Sequence, residues 1–182
     1  MEGWVGRRGF TLLELLVVVA VLGLLVTVSS FYYKRYALTG KRLEAITNLG
    51  HIRQLEEVYR AEKSKYVICD WSPVNIPPPE GTSDWNGNSY FHLIGFHPSG
   101  NLRYRYGVAK SNGNYTVSRC MADVETCYRN SVVENGFTVS RDNVIDILAK
   151  AEGDLDGDGE VSKLFIPDEP PQKVIYVNYS VF

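Results

Sequence analysis

The feature that most constrains this chain is a long apolar run near its N-terminus. Residues 10–31 form 22 consecutive positions dominated by Leu and Val, and Glu14 is the one charged residue among them. As an α-helix this run would be about 33 Å long, close to the hydrocarbon thickness of a bilayer. The rest of the 182-residue chain is polar and rich in turn-forming residues. The sequence therefore predicts one helix in an apolar environment and a separate head in water.

The residues on either side of the run predict its orientation. Arg7 and Arg8 precede it, which favours a cytoplasmic N-terminus. Tyr32, Tyr33 and Lys34 follow it, and this combination is typical of the opposite membrane interface. We therefore expect the head to face the periplasm or the exterior.

Three common kinds of N-terminal segment leave one residue unexplained. A secretory signal peptide has a shorter apolar region and a small-residue cleavage site, for which residues 28–30 are a weak match. Arg7 and Arg8 superficially fit a twin-arginine signal, and a plain membrane anchor is also open. None of the three accounts for Glu14, because an acid in an apolar helix costs free energy and usually marks a function.

The segment Gly-Phe-Thr-Leu-Leu-Glu-Leu at residues 9–15 resembles the processing motif of type IV prepilins, shared by pilins and type II secretion pseudopilins. The resemblance is specific over residues 9–16 and looser along the helix to about Tyr66. It implies that a prepilin peptidase cuts after Gly9 on the cytoplasmic side and then N-methylates Phe10. The apolar helix would be kept in the mature protein.

The resemblance also implies how the mature chain assembles. Cleavage creates an α-amine on Phe10 that stays cationic after methylation. In a bundle of such helices, this amine on one copy would neutralise Glu14 of a neighbour. Removing one partner of a buried pair costs roughly 3–5 kcal/mol, so the pair can set the register between subunits. The other partners implied are the prepilin peptidase and an inner-membrane assembly platform.

We therefore expect a structural subunit of a type IV pilus, made as a single-pass precursor in the bacterial inner membrane. It would later reach the cell surface in a helical filament of identical or related pilins. A type II secretion pseudopilin, a minor pilin and a membrane-anchored binding module that never polymerises are alternatives. One departure from the family is that no proline lies near Phe31, where the helix of many members bends.

The expected fold is of the α+β class: a long N-terminal helix packed on an antiparallel sheet, as in pilins. Residues 1–9 would be the leader, residues 10–31 the transmembrane and filament-core half of the helix, residues 32–63 its amphipathic half, and residues 64–182 the head. Strand candidates in the head are residues 102–108, 114–119, 161–166 and 174–181, with Asn112-Gly113 as a hairpin turn. Residues 143–151 fit helix or strand, and residues 71–100 are expected to be a long loop.

Three cysteines are present: Cys69, Cys120 and Cys127. A disulfide is expected in an exported head, and three cysteines allow three single pairings. The short intervening segment favours Cys120 with Cys127. Fully reduced cysteines, or a bond from Cys69 to one of the others, are alternatives.

An acidic stretch begins at Gly153 and resembles the first half of a calcium loop. Acids at alternate positions can converge on one hard cation, and here they are Asp154, Asp156, Asp158 and Glu160. Position twelve of an EF-hand would be Phe165 instead of glutamate, so a full EF-hand is not predicted. A Ca²⁺ site and a plain solvated turn fit the sequence equally well.

The sequence predicts neither an enzyme nor a nucleic-acid-binding protein. The net charge is -2 and the sequence has no basic stripe. It also lacks a G-x-S-x-G motif, a P-loop and a dinucleotide fingerprint, so no catalytic residue is predicted. His51 lies among charged helix residues. His92 and His97 lie five residues apart in an aromatic stretch, where packing or an exposed loop is the simpler interpretation and metal ligation is the alternative.

Overall fold

The computed structural model describes residues 10–79, 81–87, 89–113, 115–170 and 173–177, and at Phe31 and Ser89 it describes the backbone alone. Predictions about the leader, Asn114 and the residues after Val177 lie outside these ranges. Helix α1 spans Leu12–Lys63, as the sequence predicted to within two residues. The chain divides into two compact units, and the boundary falls between Thr39 and Gly40.

The first unit is a helical segment that presents its large apolar side chains to the outside. Every leucine and valine between Leu12 and Val28 is at least 47 % exposed. Among the described residues, α1 is the helix whose length and composition would allow it to cross a membrane. The apolar surface of this segment is therefore not covered within its own unit.

The second unit begins with the C-terminal part of α1, which buries one face. Ala45, Leu49 and Ile52 are fully buried, and their spacing of four and three residues places them on one side of the helix. Leu43 and Val58, on other sides, are about 60 % exposed. Hydrogen bonds join this helix to the sheet, among them Asn48 Nδ2 to the Tyr106 hydroxyl at 2.9 Å.

The described part of the head contains seven strands and three short helices. The strands are β1 Lys65–Ser72, β2 Arg105–Ser111, β3 Ser131–Val133, β4 Gly136–Val139, β5 Ile147–Gly153, β6 Ser162–Pro167 and β7 Ile175–Tyr176. The short helices are α2 Ser89–Ile94, α3 Val117–Ala122 and α4 Val124–Arg129. The sheet has the order β4-β1-β2-β5-β6-β7, with β3 also paired to β2, and all the pairings are antiparallel.

The sheet is covered on both faces, which confirms the α+β class. Every residue of β5 is buried. Leu148 and Lys150 point to the same face because strand side chains alternate, and there Leu148 belongs to a buried cluster that includes Tyr128 and the two cysteines of α3 and α4. On the other face Tyr106 meets the helix. The long helix and the pair of short helices thus enclose the central strands.

One predicted strand is wrong. Residues 115–119 do not continue β2 through a hairpin, because α3 begins there with Thr116 as its N-cap. The Thr116 hydroxyl accepts a hydrogen bond from the Arg119 backbone N–H, which offers the backbone a local alternative to a strand ladder. Instead, β3 follows α3 and α4 in the chain and pairs antiparallel with β2.

Candidate functional site

The start of α1 is a capping box. The Thr11 backbone N–H and hydroxyl both donate to Glu14 Oε2, at 3.0 and 2.9 Å, and the Glu14 backbone N–H donates back to Thr11 Oγ1 at 3.2 Å. Thr11 is therefore the N-cap and Glu14 the third helical residue, the reciprocal arrangement of the pattern Ser/Thr-x-x-Glu. The sequence analysis did not predict this role of Glu14, although residues 11–14 have the pattern Thr-x-x-Glu.

The capping box leaves part of the Glu14 carboxylate available. Both hydrogen bonds from Thr11 end on Oε2, and no described residue donates to Oε1. Phe10, the residue before the cap, is 81 % exposed. Gly9 lies outside the described residues, so the structure does not test the cleavage position. The Glu14 carboxylate can therefore cap the first turn of α1 and still bind a cationic group of another molecule.

The cysteine pairing in the head agrees with the favoured prediction. Cys120 of α3 and Cys127 of α4 form a disulfide with their Cα atoms 5.2 Å apart. Asp123 separates the two helices and caps the second, since its carboxylate accepts a hydrogen bond from the Thr126 backbone N–H. Cys69 is a buried free thiol in β1. Burial and the neighbouring Glu56 raise the pKa of the Cys69 thiol, so it stays protonated and unreactive.

The acidic loop after β5 brings three of its four predicted ligands together. Carboxylate oxygens of Asp154, Asp156 and Asp158 all lie within 4.8 Å of one another, and Glu160 is not part of this group. Asp154 Oδ1 accepts from the Gly157 N–H at 2.8 Å. Oxygen atoms this close suit a hard cation such as Ca²⁺, and exposed acidic groups of this kind are also common without one. Calcium binding stays a prediction.

A buried acid, Glu56, was not predicted. It continues the buried face of α1 after Ile52 and is fully buried. Its Oε2 accepts the Val67 backbone N–H of β1 at 3.0 Å, while Oε1 has no hydrogen-bond partner among the described residues. Burial raises the pKa of Glu56 to about 8. The sequence signal for it was its spacing, four residues after Ile52 on the buried side of the helix.

A known family motif matches the N-terminal segment of the chain. The prokaryotic N-terminal methylation motif matches residues 4–30. The chain is also 26 % identical over 150 residues to the type IV major pilin protein PilA of Myxococcus xanthus (strain DK1622). That similarity covers 79 % of this chain and 58 % of the relative, so the chain spans less than two thirds of the relative's length. No solved structure matches the chain.

Proposed function

We propose that this chain, whose methylation motif and pilin relative support the type IV pilin family, is a structural subunit of a type IV pilus. The observation that carries the proposal is the first unit of the structure. Its helix exposes every large apolar side chain from Leu12 to Val28. An apolar surface of this size needs lipid or other helices around it, because exposed patches beyond a few hundred Å² mark interaction sites.

Both environments belong to the proposed life cycle. As a precursor, the chain is anchored in the inner membrane by residues 10–31, with the head in the periplasm. As a mature subunit, it packs the same residues against copies of itself or related pilins in a filament core. The helix is long enough for the first role, and its exposed leucines and valines suit the second.

Processing would connect the two states. A prepilin peptidase would cut after Gly9 and methylate the new amine of Phe10, and an inner-membrane platform would extrude the mature chain. The match to the methylation motif over residues 4–30 supports this step. The chain would act as a scaffold without catalysis of its own.

Glu14 would hold neighbouring copies in register. In the single chain its Oε2 is engaged by Thr11, and no described residue donates to Oε1. The methylated amine of Phe10 on an adjoining copy could donate to that second oxygen. The helix cap and the contact between subunits would then use different oxygens of one carboxylate.

Shearing of intact cells tests whether the filament reaches the surface. We expect the mature chain to be released into the sheared fraction in quantity and to be absent from that fraction when the assembly platform is deleted. A processed chain that stays with the membrane fraction would overturn the pilus and indicate the pseudopilin alternative. Retention of an unprocessed chain would instead indicate a non-polymerising anchored module.

A further inference from the structure

Two exposed histidines meet on the surface of the head. His92 lies in α2, and His97 lies three residues after the end of that helix. The His97 Nε2 and His92 Nδ1 atoms are 2.9 Å apart. The two ring centroids are 4.7 Å apart, with their planes at 49°. Both side chains are exposed, so other ligands can reach the same two nitrogens.

The backbone of this pair is held by buried aromatic residues. Phe91 and Phe96 each precede one of the histidines, and both are fully buried. Their rings lie 5.5 Å apart, and the Trp85 ring meets each of them edge-on at 5.1 and 5.3 Å. The Phe96 N–H also donates to the Phe91 carbonyl at 3.0 Å. The two imidazoles therefore project from a fixed platform, which lowers the entropy cost of bringing them to one ligand.

The two nitrogens are hydrogen-bonded to each other, and a metal ion that replaced the shared proton would bind both of them. A metal about 2.0–2.1 Å from each nitrogen would subtend an angle of roughly 90° across a gap of 2.9 Å, and it would separate the ring centroids by about 4.5 Å. The observed ring-centroid separation of 4.7 Å is compatible with this arrangement.

The angle also distinguishes among metals. Tetrahedral Zn²⁺ prefers nitrogens farther apart, at roughly 3.3 Å. An angle of about 90° instead suits two adjacent positions of a square-planar or tetragonal ion, of which Cu²⁺ binds nitrogen ligands most strongly.

We propose that His92 Nδ1 and His97 Nε2 form a surface site for Cu²⁺, with water in the remaining positions. His51 is not a ligand. It lines the same groove of about 490 Å³ as His97, but its ring packs edge-on against Phe96, with the two ring centroids 5.7 Å apart. His51 is therefore the matched control, since it is also exposed and close by.

Titration of the full-length chain in detergent micelles with Cu²⁺ tests this site. Excess Ca²⁺ would suppress binding at acidic groups. We expect one tightly bound Cu²⁺ per chain, with an electron paramagnetic resonance spectrum that reports two imidazole nitrogens. His92→Ala and His97→Ala should each weaken binding about tenfold or more, whereas His51→Ala should leave it unchanged.

Two results would overturn the proposal. One is the absence of stoichiometric Cu²⁺ binding in the wild-type chain. The other is equal binding by all three variants, which would locate the copper elsewhere, for example at the N-terminal amine that all of them share. Because both histidines are exposed, the variants should keep the wild-type circular dichroism spectrum, and this comparison controls for misfolding.

Discussion

Two glutamates of α1 show how position decides what a carboxylate does. Glu14 lies in an exposed first turn, where Thr11 donates two hydrogen bonds to one of its oxygens. Glu56 is fully buried and accepts one hydrogen bond, from Val67. The first can serve the helix end and a second molecule, whereas the second is kept neutral by its surroundings.

The two roles of Glu14 can be separated by substitution. Glu14→Gln keeps a side chain that completes a capping box but removes the charge. We expect normal cleavage and a filament yield lower by about tenfold or more, because a buried charge pair is broken. Filaments in the sheared fraction and the mass of the mature chain measure the two steps.

Thr11→Ala is the matched control for Glu14. It keeps the charge and costs about 1 kcal/mol of helix capping, so filament yield should stay near the wild-type level. Glu14→Ala, which loses both features, should assemble as poorly as Glu14→Gln. Wild-type yield from Glu14→Gln would contradict the charge pair and leave capping as the function of this residue.

Glu56 gives a prediction about pH. Burial raises its pKa in the folded chain from 4.5 to about 8, so the folded state binds this proton more tightly than the unfolded state. The free energy of unfolding therefore falls as pH rises between about 4.5 and about 8. Glu56→Gln should be more stable than wild type at pH 9, on the order of a few kcal/mol, and little changed at pH 5.

Thermal unfolding of the chain in micelles, followed by tryptophan fluorescence, measures this difference. Asp168 also has a raised pKa, about 7, from burial and the nearby Asp146, so some pH dependence should remain in the variant. Glu57→Gln is the control because Glu57 is partly exposed and pairs with Arg60. If Glu56→Gln raised the free energy of unfolding equally at pH 5 and pH 9, the result would contradict the raised pKa of Glu56.

At the scale of elements, patterns that depend on burial were easier to predict than patterns that depend on local capping. The predicted helix over residues 10–63 matched α1 closely, and the strand candidates 102–108 and 161–166 overlapped β2 and β6. The segment after Asn112-Gly113 was wrong because Thr116 caps a helix there. Strand β1 was not predicted, although its run Tyr66-Val67-Ile68 has the residue types of a strand.

The acidic loop after β5 is an element whose role depends on whether it binds an ion. If calcium binds, the ion offsets most of the negative charge of Asp154, Asp156 and Asp158, and the full-length chain should give stoichiometric heat in a calorimetric titration with Ca²⁺. Asp156→Ala should abolish that heat. Glu160→Gln should change it little, because Glu160 lies outside the cluster. A flat titration of the wild-type chain would show that the loop is a plain turn.

At the scale of the whole molecule, the two units differ in what they expose. The first unit exposes its leucines and valines from Leu12 to Val28, and residues from 40 onwards enclose a core of their own. From the contrast in composition the sequence predicted an apolar segment over residues 10–31 and a head that begins at residue 64, and these bounds stay a prediction. It could not predict that the ring nitrogens of His92 and His97 lie 2.9 Å apart, because that depends on how Phe91 and Phe96 pack.

The mass of the mature N-terminus tests the central claim most directly. Chain purified from cells that contain a prepilin peptidase should begin with N-methylated Phe10, and a Gly9→Val variant made in the same cells should keep the leader. If the wild-type chain instead retains Met1, or begins near Ser30, then the apolar helix is an anchor or a signal peptide and the account is wrong.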